Sequence, residues 1–320
     1  MIFEKQMENM YRRNLFARQD NADGIFYFQP EDFPGLSAHP YSFRAIAGHE
    51  LKGYFYHYEN PIPGRLVVFD HGMGNGHRAY MREIERLCRA GFLVFSYDHT
   101  GCMESGGEGT NGFATSLSDL DACFRALKAE QTLRDRRFSV VGHSWGGFST
   151  MNICALHPEI THVVSMSGFV SVNRIVSQFF GGPLKGFRKM AMDLERRSNP
   201  VYVDFCAVDT LSKAQGKVLL IYSDDDATVS RKVHFEFLKE KLGEKENITF
   251  LLVTGKDHNP GYTRDAVVYK NGFFKTFTKK RKKLTTPETR KAFMDGYDWW
   301  RMTEQDEDVW KVIENHLKSE

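Results

Sequence analysis

Two periodicities divide this chain. Short, nearly continuous apolar runs recur at Arg65–Asp70, Phe92–Asp98, Phe138–Val141, Thr161–Met166, Lys217–Tyr222 and Ile248–Val253. Such runs predict strands covered on both faces of a sheet. Between them, apolar residues return at helical spacing: Tyr80, Ile84, Leu87 and Cys88; a stretch from about Ser116 to Lys128; Phe148, Met151, Cys154 and Ala155; then Val233, Phe235, Phe237 and Leu238. Strict alternation of strand and helix predicts an α/β fold, with a mostly parallel central sheet and helices on both faces. Ahead of it, Tyr41–Ala47 and Leu51–Tyr58, joined by Gly48-His49-Glu50, read as an antiparallel hairpin at the N-terminal edge. Residues 1–40 are polar and irregular, with some helix expected from about Met7 to Arg18.

The alternation lapses between Ser167 and Lys217. Val172, Ile175, Val176, Phe179 and Phe180 suggest one amphipathic helix, broken at Gly181-Gly182-Pro183. Leu184, Phe187, Met190 and Leu194 suggest another, ending near Ser198-Asn199-Pro200. A long segment leaving and rejoining the sheet reads as a helical cap over 170–214, between core segments 41–169 and 215–320. Residues 259–284 look less regular, and 259–294 read as a further insertion carrying the basic run Lys279–Lys283. Helix starts are expected at Thr286-Pro287-Glu288 and at Thr303-Glu-Gln-Asp306, the second before the stripe Val309, Val312, Ile313 and Leu317.

The chemistry concentrates where strands end. The run Phe138–Val141 breaks at Gly142-His143-Ser144-Trp145-Gly146 and opens into a helical pattern, a nucleophile elbow. Serine on so tight a turn needs small neighbours two residues away on each side. The helix that follows turns unbonded N–H groups toward the same point. A serine hydroxyl needs a base, histidine suits that role, and the histidine needs an acid to hold its tautomer. His258 lies just past the strand 248–253, after Gly255, and Asp226 lies just past 217–222. Asp224 and Asp225 compete, but Asp226-x-x-Val229 puts the last carboxylate of the turn in place before the next helix. Oxyanion donors are expected from the backbone N–H groups of Trp145 and Met73. His143 flanks the nucleophile, but adjacent side chains on a tight turn should diverge. His57, His77, His99 and His162 read as structural or exposed. The run Gly72-Met-Gly-Asn-Gly76 lacks the spacing and the Lys-Ser/Thr of a phosphate loop.

Composition narrows the partners. With 320 residues, 41% hydrophobic and 26% charged, a net charge of +2 gives no reason to expect nucleic acid. No stretch approaches the roughly 18 apolar residues of a membrane span, and the first residues lack a signal-peptide pattern, so a cytoplasmic protein is expected. Five cysteines without a Cys-x-x-Cys pair suggest buried thiols, and no metal or cofactor is expected. Lys279–Lys283 reads as a solvated face.

Together, His71-Gly72, the turn Asp98-x-x-Gly101-x-x-x-Ser105, the elbow Gly142–Gly146, the Asp226 turn and Gly255-x-x-His258 resemble the α/β-hydrolase superfamily. The nearest likeness is to its esterase, monoacylglycerol-lipase and serine-aminopeptidase-like branch, over about Tyr41 to His258. The order Ser144, Asp226, His258 is that of its triad. The resemblance implies a serine hydrolase that cleaves a carboxylic ester through an acyl-enzyme. Thioesters and small amides are open to the same machinery, and a catalytically silent binding protein is the contrasting class. Phe179, Phe180, Phe187 and Met190 are the candidates to meet an apolar acyl or aryl group. Two departures stand out. The turn after Asp98 usually carries Arg-Gly-x-Gly and here reads Thr100-Gly-Cys-Met103, and residues 259–294 stand where a final helix is usual, leaving a second flap or a homo-oligomer contact open.

Overall fold

In the computed structural model, which describes residues 2–20, 24–74 and 76–320, the apolar runs assemble into one sheet. Among the described residues it has eight strands: β1 (Ser37–Arg44), β2 (Glu50–His57), β3 (Arg65–Asp70), β4 (Leu93–Tyr97), β5 (Arg137–His143), β6 (His162–Met166), β7 (Lys217–Ser223) and β8 (Ile248–Val253). Their order is β1-β2-β4-β3-β5-β6-β7-β8. The hairpin β1–β2 and the pair β2–β4 are antiparallel, and the later pairings are parallel. The chain steps from β3 to β4 on one side and comes back to β5 on the other. The loops after β3 and β5 therefore diverge at a crevice, the place where open α/β sheets hold ligands.

The helices in chain order are α1 (Ile2–Leu15), α2 (Met81–Arg89), α3 (Thr115–Ala129), α4 (Trp145–Asn152), α5 (Val172–Phe179), α6 (Arg188–Ser198), α7 (Ala207–Leu211), α8 (Phe235–Leu242), α9 (Arg264–Lys280), α10 (Pro287–Met294), α11 (Trp299–Met302) and α12 (Glu307–Lys318). Alternation along β3 shows how both faces are filled. Leu66 and Val68 join the core under α3, α4 and α8, whereas Val67 and Phe69 join the core under α2 and α12. Among the described residues no helix is long and apolar enough to cross a membrane.

Three sequence expectations need correction. Residues 264–280 form a helix of 17 residues, not an irregular segment. Gly272 and the strand-favouring Val267, Val268, Phe273 and Thr276 disguise it. Packing overrides that preference: Thr263 caps the first turn by accepting from the Ala266 N–H, and Phe273 and Phe277 bury themselves against Met302. The N-terminal helix runs Ile2–Leu15, so Arg18 lies beyond it. The last helix is capped by Asp306, whose carboxylate accepts from Asp308 and Val309, and not from a start at Thr303. Thr286 and Pro287 begin α10 as expected.

One buried acid joins the segment 170–214 to the rest of the fold. Glu195 of α6 is fully buried; its Oε1 accepts from the Tyr11 hydroxyl at 2.7 Å and its Oε2 from the Phe113 N–H at 2.9 Å. Burial pushes its carboxyl from 4.5 up to about 7, against those two hydrogen bonds, which pull it down. Between those pH values the folded chain holds a proton that the unfolded chain has released. The resulting stabilisation is complete below the unfolded value and is lost as pH rises through about 7. Glu195→Gln should abolish it: from pH 5 to 8 the parent should lose about 3 kcal/mol more stability than the variant in denaturant titrations. Parallel pH profiles for the two chains would rule this linkage out.

Candidate active site

Ser144 stands between β5 and α4 with φ 56° and ψ −110°, a conformation that costs a non-glycine residue on the order of 1–3 kcal/mol. The surroundings hold it there. Its N–H donates to the Met166 carbonyl at 2.9 Å. A Cβ on Gly142 would collide with the Gly146 carbonyl and the Thr150 hydroxyl, and one on Gly146 would strike the Asp70 carbonyl of β3. The two glycines thus let the turn press against the neighbouring strand. Trp145 opens α4, so its N–H belongs to the first turn, which has no intrahelical acceptor.

The structure brings Ser144, His258 and Asp226 into one hydrogen-bonded chain. The Ser144 hydroxyl is 2.8 Å from His258 Nε2, and His258 Nδ1 is 2.8 Å from Asp226 Oδ2. An ionised carboxylate can only accept, so Nδ1 carries the proton and Nε2 is left to accept from the serine. The other Asp226 oxygen accepts from the Thr228 and Val229 N–H groups at 2.8 and 2.9 Å, which is the turn expected from Asp-x-x-Val. The rival acids are engaged elsewhere: Asp224 accepts from the Gly255 N–H, and Asp225 from the Ser223 hydroxyl and the Asp257 N–H.

The loop after β3 runs beside the elbow because Asp70 pairs in register with Gly142. His71 pins it. The buried His71 Nε2 accepts from the His99 N–H at 3.0 Å, so Nδ1 carries the hydrogen and donates to the Gly72 carbonyl at 2.6 Å. Burial, reinforced by His99, pushes the His71 imidazole down to about 3, which keeps it neutral. Across a trans peptide the C=O and N–H point opposite ways, so holding the Gly72 carbonyl fixes the direction of the Met73 N–H.

The sequence is matched over residues 61–249 by the model of the family described as serine aminopeptidase, S33, more than half of the chain. The chain belongs to this α/β-hydrolase family. Curated proteins give no match. Solved structures share the fold at low identity. An esterase from Pyrococcus furiosus is 19% identical with a TM-score of 0.59, covering 83% of this chain and 98% of its own. Est1E from Butyrivibrio proteoclasticus, solved with ferulic acid, is 16% identical with a TM-score of 0.57 (75% and 98% covered). The α/β hydrolase GrgF from Penicillium is 13% identical with a TM-score of 0.53 (81% and 99% covered).

Two features of this hydrolase escape sequence reasoning. His143 does not diverge from the site. Its ring packs 4.9 Å from that of His258, its Nε2–H donates to the His258 carbonyl at 2.7 Å, and its Nδ1 accepts from the Tyr80 hydroxyl at 2.9 Å. Burial, then the nearness of His258, pushes His143 down to about 3. The second feature is Arg18. It reaches from the N-terminal segment to the turn that lacks the usual arginine, donating to the carbonyls of Met103, Ser105 and Gly107. Among the residues named for the apolar group, Phe180 is buried against the Tyr11 ring and Phe187, whereas Phe179 is exposed and stacks on Phe113. Phe187 and Met190 are half-buried against the same core.

Gly146→Ala tests the close approach at the elbow. The new methyl must displace the Asp70 carbonyl, so the variant should lose about 3 kcal/mol or more in equilibrium unfolding. A loss within about 0.5 kcal/mol would mean that the turn has slack there.

Proposed function

We propose that this hydrolase cleaves carboxylic esters through a covalent acyl-serine. The reading rests on the hydrogen-bonded chain Ser144–His258–Asp226, with the serine half-buried and the other two held from both sides. Ser144 Oγ attacks the ester carbonyl carbon while His258 Nε2 takes its proton. The imidazolium is stabilised by Asp226 and then returns the proton to the departing alkoxide. Water, deprotonated by His258, attacks the acyl-serine, and the proton passes to Ser144 as the acid leaves. The Met73 and Trp145 N–H groups stabilise the oxyanion in both halves. His143 acts through His258, holding its carbonyl and with it the imidazole.

The half-buried and exposed apolar residues of 170–214, Phe179, Phe187 and Met190, support an apolar acyl or aryl group, with Phe180 backing them from the core. Est1E, with its bound ferulic acid, is a precedent for the aryl case. The family's name makes peptide cleavage the second reading, and that chemistry needs an acid to hold a substrate ammonium. Glu104 is engaged by Tyr54 and Arg78, and Asp204 and Asp209 line a groove that includes Cys154, at the far end of the helix that Ser144 begins. These placements favour the ester.

Hydrolysis of p-nitrophenyl acetate, butyrate and octanoate tests the reading. Ser144→Ala should abolish turnover, and Asp226→Asn should lower kcat by about 10³- to 10⁴-fold through the wrong imidazole tautomer. Turnover that survives in Ser144→Ala would overturn the assignment of the nucleophile.

A further inference from the structure

The strongest feature outside the proposed machinery is a cavity of about 120 Å³ beside the catalytic histidine's loop. Its walls include the rings of Phe26, Tyr80, Tyr262, Phe274 and Trp299, and the lysine Lys270. Apart from Ala79 and Tyr80, the lining among the described residues comes from 24–26 and 259–303, outside the span 61–249 that carries the family likeness. The cavity therefore lies almost wholly outside the matched span.

The polar groups of the aromatic walls are already engaged. The Tyr80 hydroxyl donates to His143, the Trp299 indole N–H donates to the Met294 carbonyl at 3.0 Å, and the Tyr262 hydroxyl is bonded to Glu83. Lys270 differs. An ammonium has three donors, and among the described residues Nζ makes one hydrogen bond, at 2.8 Å to the neutral Oδ1 of Asn259. The Tyr262 ring lies 5.1 Å from it. Glu83 and Asp257 attract the ammonium from a distance, and burial, which lowers Lys270, also raises the Glu83 carboxyl toward its neutral form. The cavity thus offers a cation with unspent donors inside an aromatic wall.

We propose that this cavity binds a small carboxylate carrying one apolar group, an aryl or short-chain acid, with its carboxylate on Lys270. Size limits the apolar part: an engineered apolar cavity of about 150 Å³ takes benzene, so this smaller one takes at most one ring or a short branched chain. The carboxylate competes with Asn259 Oδ1 for the ammonium. Because Asn259 directly follows His258, occupancy bears on the loop that carries the catalytic base.

The full-length Ser144→Ala chain separates this site from turnover, and benzoate is the probe. Saturation-transfer NMR and calorimetry should give a Kd on the order of 1 mM or tighter. Adding Lys270→Met, and separately replacing benzoate by benzyl alcohol, should each weaken binding about tenfold or more, the loss expected for one charge-assisted hydrogen bond. If Lys270→Met fails to fold, Ala79→Phe fills the cavity and leaves the lysine in place, and it should abolish binding. No benzoate binding to the folded chain would overturn the proposal. So would benzoate binding that Lys270→Met or Ala79→Phe leaves unchanged, since it would place the acid elsewhere, for instance at the acyl site.

Discussion

The close approach of the serine turn to β3 is the constraint on which the candidate site depends. Ser144 keeps its positive φ only because Gly142 and Gly146 allow the turn to lie against the Thr150 hydroxyl and the Asp70 carbonyl. That contact sets the depth of the serine below the rim and presents the first-turn N–H of α4. It also makes the register between β3 and β5 matter. Asp70 opposite Gly142 lets the two loops leave the sheet side by side, and a slip of one residue would break that alignment.

Buried histidines hold the loops around that turn, in two electrostatic regimes. His71 and His143 are pushed down to about 3 and use both ring nitrogens as neutral hydrogen-bonding groups, each gripping a backbone carbonyl. His99 is the opposite case. Its ring nitrogens lie 2.9 Å from Asp70 and 3.3 Å from Asp119, off the line of good hydrogen bonds, and those carboxylates overcome burial to hold it up at about 9. Asp70 also accepts from the Tyr97 and Ser149 hydroxyls, and Asp119 from Thr100. A buried ion cluster with every oxygen engaged is costly to leave half-made, so it ties β3, β4, α3 and α4 into one arrangement under the nucleophile.

How much of this was legible in the sequence follows from the range of each interaction. The strands, the elbow and the Asp226 turn are local: apolar period, glycine placement and Asp-x-x-Val act within a few residues, and the sequence displays them. The chain order of Ser144, Asp226 and His258 at strand ends then brings the three together, because parallel strands share one edge. Helix α9 was hidden because its propensity opposes its packing, and only the burial of Phe273 and Phe277 against Met302 decides the matter. Arg18 and His143 were hidden for another reason. The carbonyls they grip lie 85 or more residues away and carry no mark in the residue type. The backbone that His143 grips is that of His258, and no spacing rule joins the two.

That grip also explains why the neutrality of His143 matters to the chemistry proposed for its neighbour. When His258 takes the serine proton it becomes a cation, with Asp226 as its counter-charge 2.8 Å away. A protonated His143, its ring 4.9 Å from the same imidazole, would oppose that step with a like charge in a poorly solvated site. Burial removes the conflict by making the charged form of His143 unfavourable, and the Tyr80 hydroxyl completes the arrangement by donating to Nδ1. Nε2 then keeps its hydrogen for the His258 carbonyl. One histidine is thus held neutral by desolvation so that the next, with its carboxylate, is free to change charge.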